Sequence, residues 1–330
     1  MSKAGTAAII TTLRNAGPVL DSFVAYHRAI GFAHMFLFFD DLNDPDLRRA
    51  GAMPGVTAIP HDLTLRKAWR DLRSYPRLNA FVDNEVMARQ QLNVEFAMGL
   101  ARAAGYRWLL SIDADELFFS PNEAVAHHFE SLTATAYEAI NYPNYEAVPT
   151  RENIDDFFRE VDIFKPPPAL AQSLLIPALR HAEQTIPQLR PYFHYYLNGK
   201  SAVRLTANSL EPAGVHKFRR SEGTTNIASS TGAFILHYPC CGFESFWTKY
   251  TTLGRISDKW WGTDPIGPFH LASRDVILSG DRNRARAFYQ DRIAISDTHL
   301  VEKLLGSGVL VRLPQPRQII EAARGYTSII

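Results

Sequence analysis

Three acidic residues follow an apolar segment in the first half of the chain: Asp113, Asp115 and Glu116 come directly after residues 108–112. Two carboxylates separated by one residue at the end of a strand can bind the same cation. Mg²⁺ and Mn²⁺ prefer such hard oxygen ligands, and they commonly complete their coordination with water and substrate phosphates. The pattern therefore predicts a divalent metal site that binds a diphosphate. We expect Asp115 to contact the metal directly, Asp113 to contact it directly or through water, and Glu116 to orient one of them.

The acidic motif alone leaves two other interpretations open. One is a solvated turn after a strand, with no function. The other is a phosphate-ester hydrolase in which Asp113 is the nucleophile and forms an aspartyl-phosphate. Hydrolases of the haloacid-dehalogenase type share this Asp-x-Asp spacing, but they usually have threonine or valine where this chain has Leu117. Their motif also usually lies near the N-terminus.

Strands and helices alternate in the first third of the chain. Apolar and β-branched segments predict buried strands, and apolar residues at helical spacing predict the helices between them. The strands are expected at residues 7–13, 35–39, 56–59 and 108–112, and the main helices at residues 19–30 and 85–104. Further along, we expect a strand at residues 232–238 and helices at residues 243–257 and 282–292.

The predicted strands are almost continuously apolar, which is typical of a parallel sheet with helices on both faces. Ligands bind to such sheets beyond the carboxyl ends of the strands. The second strand runs into Asp40 and Asp41, and the fourth runs into Asp113 and Asp115. Two acidic strand ends are therefore expected at one edge. We predict an α/β fold with a mostly parallel sheet flanked by helices, followed by a less regular C-terminal half.

The composition of the 330-residue chain excludes several classes of protein. Its 35 basic and 34 acidic residues argue against nucleic-acid binding through a broad basic surface. The two cysteines, Cys240 and Cys241, are adjacent and predict reduced thiols rather than a disulfide framework. No segment is apolar for long enough to predict a transmembrane helix, and the N-terminus does not resemble a signal peptide. We expect a cytoplasmic protein with at most peripheral contact with the inner face of the membrane.

Three groups of residues match the type and order of motifs in a known family. The first group is Leu13-Arg14-Asn15 with residues 26–32 and the strand that ends at Asp40-Asp41. The second is Gln91 and Asn93 with residues 108–118, and the third is His237-Tyr238 with Glu244, Phe246 and Lys249. These motifs resemble a group of glycosyltransferases, the family 92-like and family 2-like group with the GT-A fold. The resemblance covers residues 7–120 well and residues 200–250 in part; the chain departs from the family pattern at Ala16 and at Asp41-Leu42.

The resemblance implies a metal-dependent transfer of a sugar from a nucleoside diphosphate to a glycan or a lipid-linked glycan, with inversion, as in polysaccharide biosynthesis. A UDP-sugar or GDP-sugar is the expected donor, with Mn²⁺ or Mg²⁺ as the metal. The residues expected to bind the nucleotide and its phosphates are Thr12, Arg14, Asn15, Asp40, Asp113 and Lys200. The metal would be held by Asp113 and Asp115, completed by a distant histidine, His216 or His237.

An inverting transfer needs one general base to take the proton of the acceptor hydroxyl. Glu244 is the predicted base, because it stands at a helix start after a glycine; Glu146 and Asp156 are alternatives. Residues 1–125 are predicted to form the nucleotide-sugar half of the domain, and residues 126–330 the acceptor-binding and catalytic half. A module that binds a sugar nucleotide without catalysing transfer is a further interpretation of the same residues.

Overall fold

The structure is a computed structural model that describes residues 6–170, 175–190, 197–206, 210–220, 222–253, 259–261 and 263–327. Its strands are β1 (Ala7–Leu13), β2 (His34–Phe39), β3 (Val56–Pro60), β4 (Trp108–Ser111), β5 (Glu116–Phe119), β6 (Ala139–Tyr142), β7 (Asn144–Ala147), β8 (Ile163–Lys165), β9 (Lys200–Arg204), β10 (Leu210–Ala213), β11 (Lys217–Arg220), β12 (Ile227–Ser229), β13 (Phe234–His237), β14 (Lys259–Trp260), β15 (Asp264–Pro265) and β16 (Val311–Arg312).

Helices connect most of these strands. They are α1 (Val19–Ala29), α2 (Asp46–Gly51), α3 (Leu63–Ala68), α4 (Tyr75–Leu78), α5 (Val86–Ala103), α6 (Val125–Thr133), α7 (Phe157–Glu160), α8 (Ile176–Thr185), α9 (Phe243–Leu253), α10 (Pro268–Leu278), α11 (Arg282–Arg292), α12 (Thr298–Gly306) and α13 (Gln315–Thr327). Short 3₁₀ turns lie at Trp69–Asp71, Asn79–Phe81, Pro168–Leu170 and Pro187–Leu189. The end of the helix predicted at residues 243–257 lies outside the described residues.

The chain divides into two compact units that interleave in sequence. The first, here called the sheet unit, comprises residues 1–143, 198–235 and 326–330. The second unit comprises residues 144–197 and 236–325. The chain therefore leaves the sheet unit after β6 and returns to it at β9. Residues 1–125 were predicted to bind the nucleotide sugar and residues 126–330 to bind the acceptor and catalyse transfer. This assignment of function stays a prediction.

A seven-stranded sheet forms the sheet unit, in the order β12-β6-β9-β4-β1-β2-β3. Strands β3, β2, β1 and β4 are parallel, whereas β9 runs antiparallel to both β4 and β6. Helices α5 and α6 pack on β1, and the central strands are buried on both faces: Ala8 and Ile9 have no exposed surface. This is the helix-flanked, mostly parallel sheet that the alternation of apolar strands and helices predicted.

The register of the parallel strands fixes which residues share an edge. Leu13 pairs with Phe39, and Ile10 pairs with Ser111. The segments that follow these strands, with Asn15, Asp40 and Asp113, therefore leave the sheet at its carboxyl edge. The predicted meeting of two acidic strand ends at one edge is confirmed.

The second unit has a smaller sheet and a group of helices. Strands β16, β8 and β7 pair antiparallel, and α9, α10 and α11 pack together. Two apolar clusters stabilise this unit: one includes Val148, Leu179 and Leu304, and the other includes Phe246 and Tyr289. Its cysteines, Cys240 and Cys241, are both buried. Among the described residues of the whole chain, no helix is both long and apolar enough to cross a bilayer.

Candidate functional site

The acidic turn after β4, residues 113–116, is held together by hydrogen bonds within the sheet unit. One carboxylate oxygen of Asp113 accepts a hydrogen bond from the Gln90 side chain at 3.0 Å, and the other contacts the Lys200 ammonium at 2.6 Å. The backbone N–H of Asp113 donates to Glu116 at 2.8 Å. The turn is thus fixed through its side chains as well as its backbone, and Asp115 stands partly exposed between the two anchored acids.

Lys200 reaches the acidic turn because β9 runs antiparallel beside β4, with Ser201 opposite Ser111. Its side chain is almost fully buried, and its Nζ lies 3.7 Å from the carboxylate of Glu116, which is also buried. Burial alone lowers the pKa of a lysine, but the nearby carboxylates of Asp113, Glu116 and Asp115 outweigh it, and the pKa of Lys200 is raised. The ammonium is therefore charged and serves as counter-ion of the turn.

A glycine places Lys200 and His216 in this arrangement. Gly199 has a positive φ of 61°, and a Cβ at this position would collide with the backbone carbonyl of Tyr142 on β6. The close approach of the two chain segments thus requires glycine. The carbonyl of Gly199 accepts a hydrogen bond from Nδ1 of His216 at 2.8 Å, so the lone pair of this imidazole is on Nε2. This is the orientation that a metal-binding histidine commonly has.

A small polar pocket lies beside the acidic turn. It is lined by Ile10, Thr12, Gln90, Gln91, Val94, Ser111, Ile112, Asp113, Gly214 and Val215. Asn93 donates to the hydroxyl of Thr12 at 2.9 Å, and the Gln91 carbonyl oxygen accepts from the backbone N–H of Gly214 at 3.1 Å. The motif residues Gln91 and Asn93 therefore build and brace this pocket from α5. Amide, hydroxyl and carboxylate groups share the lining of this small pocket with the apolar side chains of Ile10, Val94 and Ile112.

Asp40, at the end of β2, is already engaged by other side chains. Arg89 on α5 donates to both of its carboxylate oxygens, at 2.5 and 2.6 Å. His61 lies 3.7 Å away; burial is the main reason that the pKa of His61 is lowered. The nucleotide contact predicted for Asp40 would have to be made by a carboxylate that Arg89 has fixed.

The residues after β1 occupy a loop that is tied to the start of α2. Asn15 has a positive φ of 51°, and its backbone N–H donates to Asp44 at 2.6 Å. Arg14 forms an exposed ion pair with Asp41 at 2.8 Å. Thr12 is the residue of this group that lines the polar pocket. The structure thus places Thr12 beside Asp113, and Arg14 and Asn15 farther out along the same edge.

Tyr26 and His27, two adjacent residues of the first motif, contact the strand that follows the acidic turn. The hydroxyl of Tyr26 donates to the carbonyl of Phe118 at 2.9 Å, and Nε2 of His27 accepts from the N–H of Phe118 at 3.2 Å. Phe118 belongs to β5, the strand that leaves the acidic turn. Both rings are fully buried, and burial lowers the pKa of His27 to about 3. The pair from α1 therefore anchors the exit of the turn.

His237 and Glu244 belong to the second unit. His237 is buried, and its Nδ1 lies 2.7 Å from the carboxylate of Glu146, which is also held by Asn144. Glu244, in contrast, lies exposed in the first turn of α9 and forms an ion pair with Arg282 on α11. Glu146 is thus enclosed among polar side chains, whereas Glu244 is open to solvent.

The donor set of the acidic turn fits a divalent cation in part. Carboxylate oxygens at a strand end suit Mg²⁺ or Mn²⁺, which are often bound by one or two carboxylates together with substrate phosphates. Within the described ranges, no group of three or more histidine, cysteine, aspartate or glutamate side chains is placed to hold a metal. A cation at Asp115 would therefore depend on oxygen ligands from a bound substrate.

Several residues of the site were not predicted. Gln90 and Arg89 bind the two acidic strand ends from α5, and their positions follow from the helix packing on β1. The motif residues Gln91 and Asn93 lie on the same helix, α5, as Gln90 and Arg89. Lys200 was predicted to bind phosphate, and its contact with Asp113 was not foreseen.

Comparisons with known proteins agree with the motif analysis. No family model matches the chain. Two curated relatives do: Glycosyltransferase-like At2g41451 of Arabidopsis thaliana is 28% identical over 335 aligned positions, covering 96% of this chain and 72% of the relative. Glycosyltransferase-like At3g57200 of the same plant is 26% identical, covering 96% of this chain and 63% of that protein. The chain is therefore similar, over nearly all of its length, to two proteins named glycosyltransferase-like.

Two solved structures match this chain distantly. Core-mannan synthase A from Aspergillus fumigatus, in its Mn/GDP form, aligns with a TM-score of 0.36 and 11% identity, covering 89% of this chain and 87% of that chain. A mycobacterial protein aligns with a TM-score of 0.34 and 14% identity, covering 77% and 76%. Scores this low do not establish a common fold.

Proposed function

We propose that this chain is a metal-dependent glycosyltransferase that moves a sugar from a nucleoside-diphosphate sugar, a UDP- or GDP-sugar, to a glycan or lipid-linked glycan with inversion. The observation that supports this proposal most directly is the acidic turn at the carboxyl edge of the sheet, next to a pocket of amide and hydroxyl groups. Parallel sheets bind nucleotides at this edge. The similarity to proteins named glycosyltransferase-like supports the same reaction class.

In this proposal the residues of the sheet unit bind the donor. Thr12, Gln90 and Gln91 contact the nucleoside in the polar pocket, and Arg14, Asn15 and Asp40 lie along the same edge. Asp115, with Asp113, binds Mn²⁺ or Mg²⁺ together with oxygen atoms of the bound diphosphate, because no three metal-binding side chains converge among the described residues. The metal, when bound, neutralises charge on the departing diphosphate. Fixed donors and charges of this kind stabilise the transition state because they need no reorganisation during the reaction.

Glu244 is our proposed general base. Its carboxylate is exposed, so an acceptor hydroxyl can reach it, and the ion pair with Arg282 keeps the side chain oriented. Glu146 is less suited to this role, because His237 and Asn144 occupy both of its oxygens in a buried environment. The variant Glu244→Gln should keep nucleotide binding and lose sugar transfer. Full transfer activity in this variant would exclude Glu244 as the base.

The hydrolase interpretation requires Asp113 to be a nucleophile. Both of its carboxylate oxygens accept hydrogen bonds, from Lys200 and from Gln90, so no observation favours this interpretation over transfer. For the acceptor, we propose a glycan or lipid-linked glycan that the protein meets on the cytoplasmic side of a membrane, through peripheral contact only.

Thermal unfolding of the full-length protein tests the proposed function. Melting should be followed with UDP, GDP, CDP and dTDP, each with Mn²⁺, with Mg²⁺ or with EDTA. We expect one nucleotide to raise the melting temperature in the presence of metal, because a ligand that binds only the folded state stabilises it. If no nucleotide gives a metal-dependent increase, the proposal is wrong. A metal-dependent increase without turnover of any sugar nucleotide would instead indicate a non-catalytic binding module.

A further inference from the structure

We propose that the carboxyl edge of the sheet unit carries a docking surface for an anionic lipid bilayer, formed by Leu42, Leu63, Lys67, Arg70 and Arg73. This inference deepens the proposed function and rests on it, because it names the surface through which the protein meets a membrane-bound acceptor. Apolar side chains that enter the headgroup region and cations that meet anionic lipids are the two features that hold a peripheral protein on a membrane.

Two leucines lie exposed beyond the ends of neighbouring strands. Phe39 of β2 pairs with Pro60 of β3, and Leu42 and Leu63 each follow the paired residue by three positions. Leu63 is 75% exposed, and Leu42, in a hydrogen-bonded turn, is 54% exposed. Burial of these side chains at a membrane interface is favourable, because it removes their apolar area from water.

Helix α3 and the 3₁₀ turn that continues it have an inner and an outer face. Leu65 and Trp69 are four residues apart and only 4% and 1% exposed, so the inner face is packed in the core. Leu63, Lys67 and Arg70 follow one another at spacings of four and three residues, which places them together on the outer face. Leu63 therefore adds little to the core and stands beside two cations. This combination is typical of a helix that lies at a membrane interface.

The docking surface carries a net positive charge. Within the part of the chain that the structure describes, three of its cations form no ion pair: Lys67, Arg70 and Arg73. The neighbouring Arg66 pairs with Asp83, and Asp71 is an exposed acid beside Arg70. The surface thus keeps two net positive charges, although the whole chain has a formal charge of only +1. Anionic lipids supply the complementary charge, and each lysine or arginine close to them strengthens binding by roughly fivefold.

The segment that carries these cations continues to the candidate site. Arg77 on α4 donates to the side-chain oxygen of Gln91 and to the carbonyl of Pro212, each at 3.3 Å. Gln91 lines the polar pocket beside the acidic turn. A bilayer bound at the docking surface therefore lies on the side of the sheet where the donor is proposed to bind, and its headgroups are brought toward that site.

Sedimentation of the full-length protein with lipid vesicles tests this inference. Vesicles of roughly one third phosphatidylglycerol in phosphatidylcholine are compared with vesicles of phosphatidylcholine alone, and the native protein should bind the anionic ones more tightly. The double variant Lys67→Gln with Arg70→Gln removes two cations and should bind anionic vesicles roughly 20-fold more weakly. Leu63→Gln should bind them roughly tenfold more weakly, because it removes an apolar side chain from the interface.

The control variants carry the same changes in the second unit. Arg284→Gln with Lys303→Gln removes two exposed cations, and Leu278→Gln replaces a leucine that is 62% exposed. Both should bind vesicles as the native protein does. Every substituted side chain is exposed, so all the variants should keep a native melting temperature, which thermal unfolding checks.

Three results would overturn the inference. They are native protein that does not bind anionic vesicles, native protein that binds neutral vesicles equally well, and equal binding by the docking-surface and control variants. A nucleic acid contacts the cations but gains nothing from the leucines, so binding to single-stranded RNA without vesicle binding, unchanged in Leu63→Gln, would also overturn it. The vesicle assay contains no nucleotide and no metal, so a missing nucleotide shift in melting temperature counts against the proposed function alone.

Discussion

Two strands of the same sheet end in an aspartate that is paired with a cation, and the two pairs differ in kind. Asp40 after β2 is 8% exposed and receives two hydrogen bonds from the guanidinium of Arg89. Asp113 after β4 is 30% exposed and receives one from the ammonium of Lys200 and one from Gln90. One acid is enclosed by its partner, and the other remains accessible from solvent.

The difference shows which strand end is suited to chemistry. A guanidinium matches a carboxylate along its whole edge and leaves little room for a ligand, whereas an ammonium is a compact point charge that contacts one oxygen. The pair at Asp40 thus stabilises the edge, and the turn at Asp113 keeps solvent access for Asp115. We expect mutations at the two ends to separate accordingly, into effects on stability and effects on activity.

The largest effect on activity is expected at the solvent-accessible strand end, in the acidic turn after β4. Asp115→Ala removes the proposed direct metal ligand, so sugar transfer should fall by roughly a thousandfold, and the metal-dependent nucleotide shift in melting temperature should disappear. Transfer assays and thermal unfolding measure the two quantities. Asp83→Ala, an exposed acid outside the turn, is the control and should change neither. Native activity in Asp115→Ala would show that the open end is not the reaction centre.

At the enclosed strand end, after β2, mutation of the Asp40–Arg89 pair should lower the stability of the protein. Arg89→Met leaves the carboxylate of Asp40 poorly exposed and unpaired, so the free energy of unfolding should fall by about 3–5 kcal/mol. The double variant Asp40→Asn with Arg89→Met removes both charges and should recover most of this loss. Urea denaturation measures each value. A small loss in Arg89→Met would mean that water reaches Asp40 and that the two strand ends are more alike than the structure indicates.

The anchor of the acidic turn predicts a pH dependence of stability. Burial holds the pKa of His27 at about 3, below its ordinary value of 6.5. Between these values the unfolded chain binds a proton that the folded chain does not, so stability is complete above pH 6.5 and falls as the pH falls. The loss is about 2 kcal/mol from pH 6.5 to pH 5. Urea denaturation at pH 6.5 and pH 5 measures the free energy of unfolding of the native protein and of His27→Gln. The native protein should lose more of this free energy between the two pH values than His27→Gln does. Equal losses in the two proteins would contradict the prediction.

The smallest change in stability is expected at Glu244, whose ion pair with Arg282 is exposed. Because exposed pairs contribute little, Glu244→Ala should lower the free energy of unfolding by less than about 1 kcal/mol. Urea denaturation checks this value. A larger loss would mean that any loss of transfer in Glu244 variants reflects damage to α9 and not the absence of a base.

Much of the sheet unit was predictable because its strands are short, apolar and separated by helices with clear ends. The prediction for β1 at residues 7–13 agrees with the structure residue for residue, and α5, predicted at residues 85–104, spans Val86–Ala103. Helix α11 was likewise predicted with its observed bounds. β1 was predicted from a continuous apolar and β-branched segment, and the end of α5 from the glycine that follows it, Gly105.

The basic partners of the predicted acidic residues could not be predicted from local sequence patterns. Lys200 follows Asp113 by 87 residues, and Arg89 follows Asp40 by 49. Their contacts depend on the register of an antiparallel strand and on the rotation of a helix, and neither leaves a periodic signal near the acid itself. The acids were therefore found from the sequence, whereas their counter-ions required the structure.

Between β6 and β9 the chain forms part of the second unit, and this affects the order in which the sheet can assemble during synthesis. Asp113 leaves the ribosome 87 residues ahead of Lys200, which corresponds to about 4–17 s at ordinary rates of translation. Throughout that interval the nascent sheet lacks Lys200, the ion-pair partner of Asp113, and the strand that separates β4 from β6. The second unit's residues 144–197 emerge during this time. Closure of the sheet therefore depends on a strand that is synthesised late and pairs over a long sequence distance, and the β4 edge stays unpaired until β9 is available.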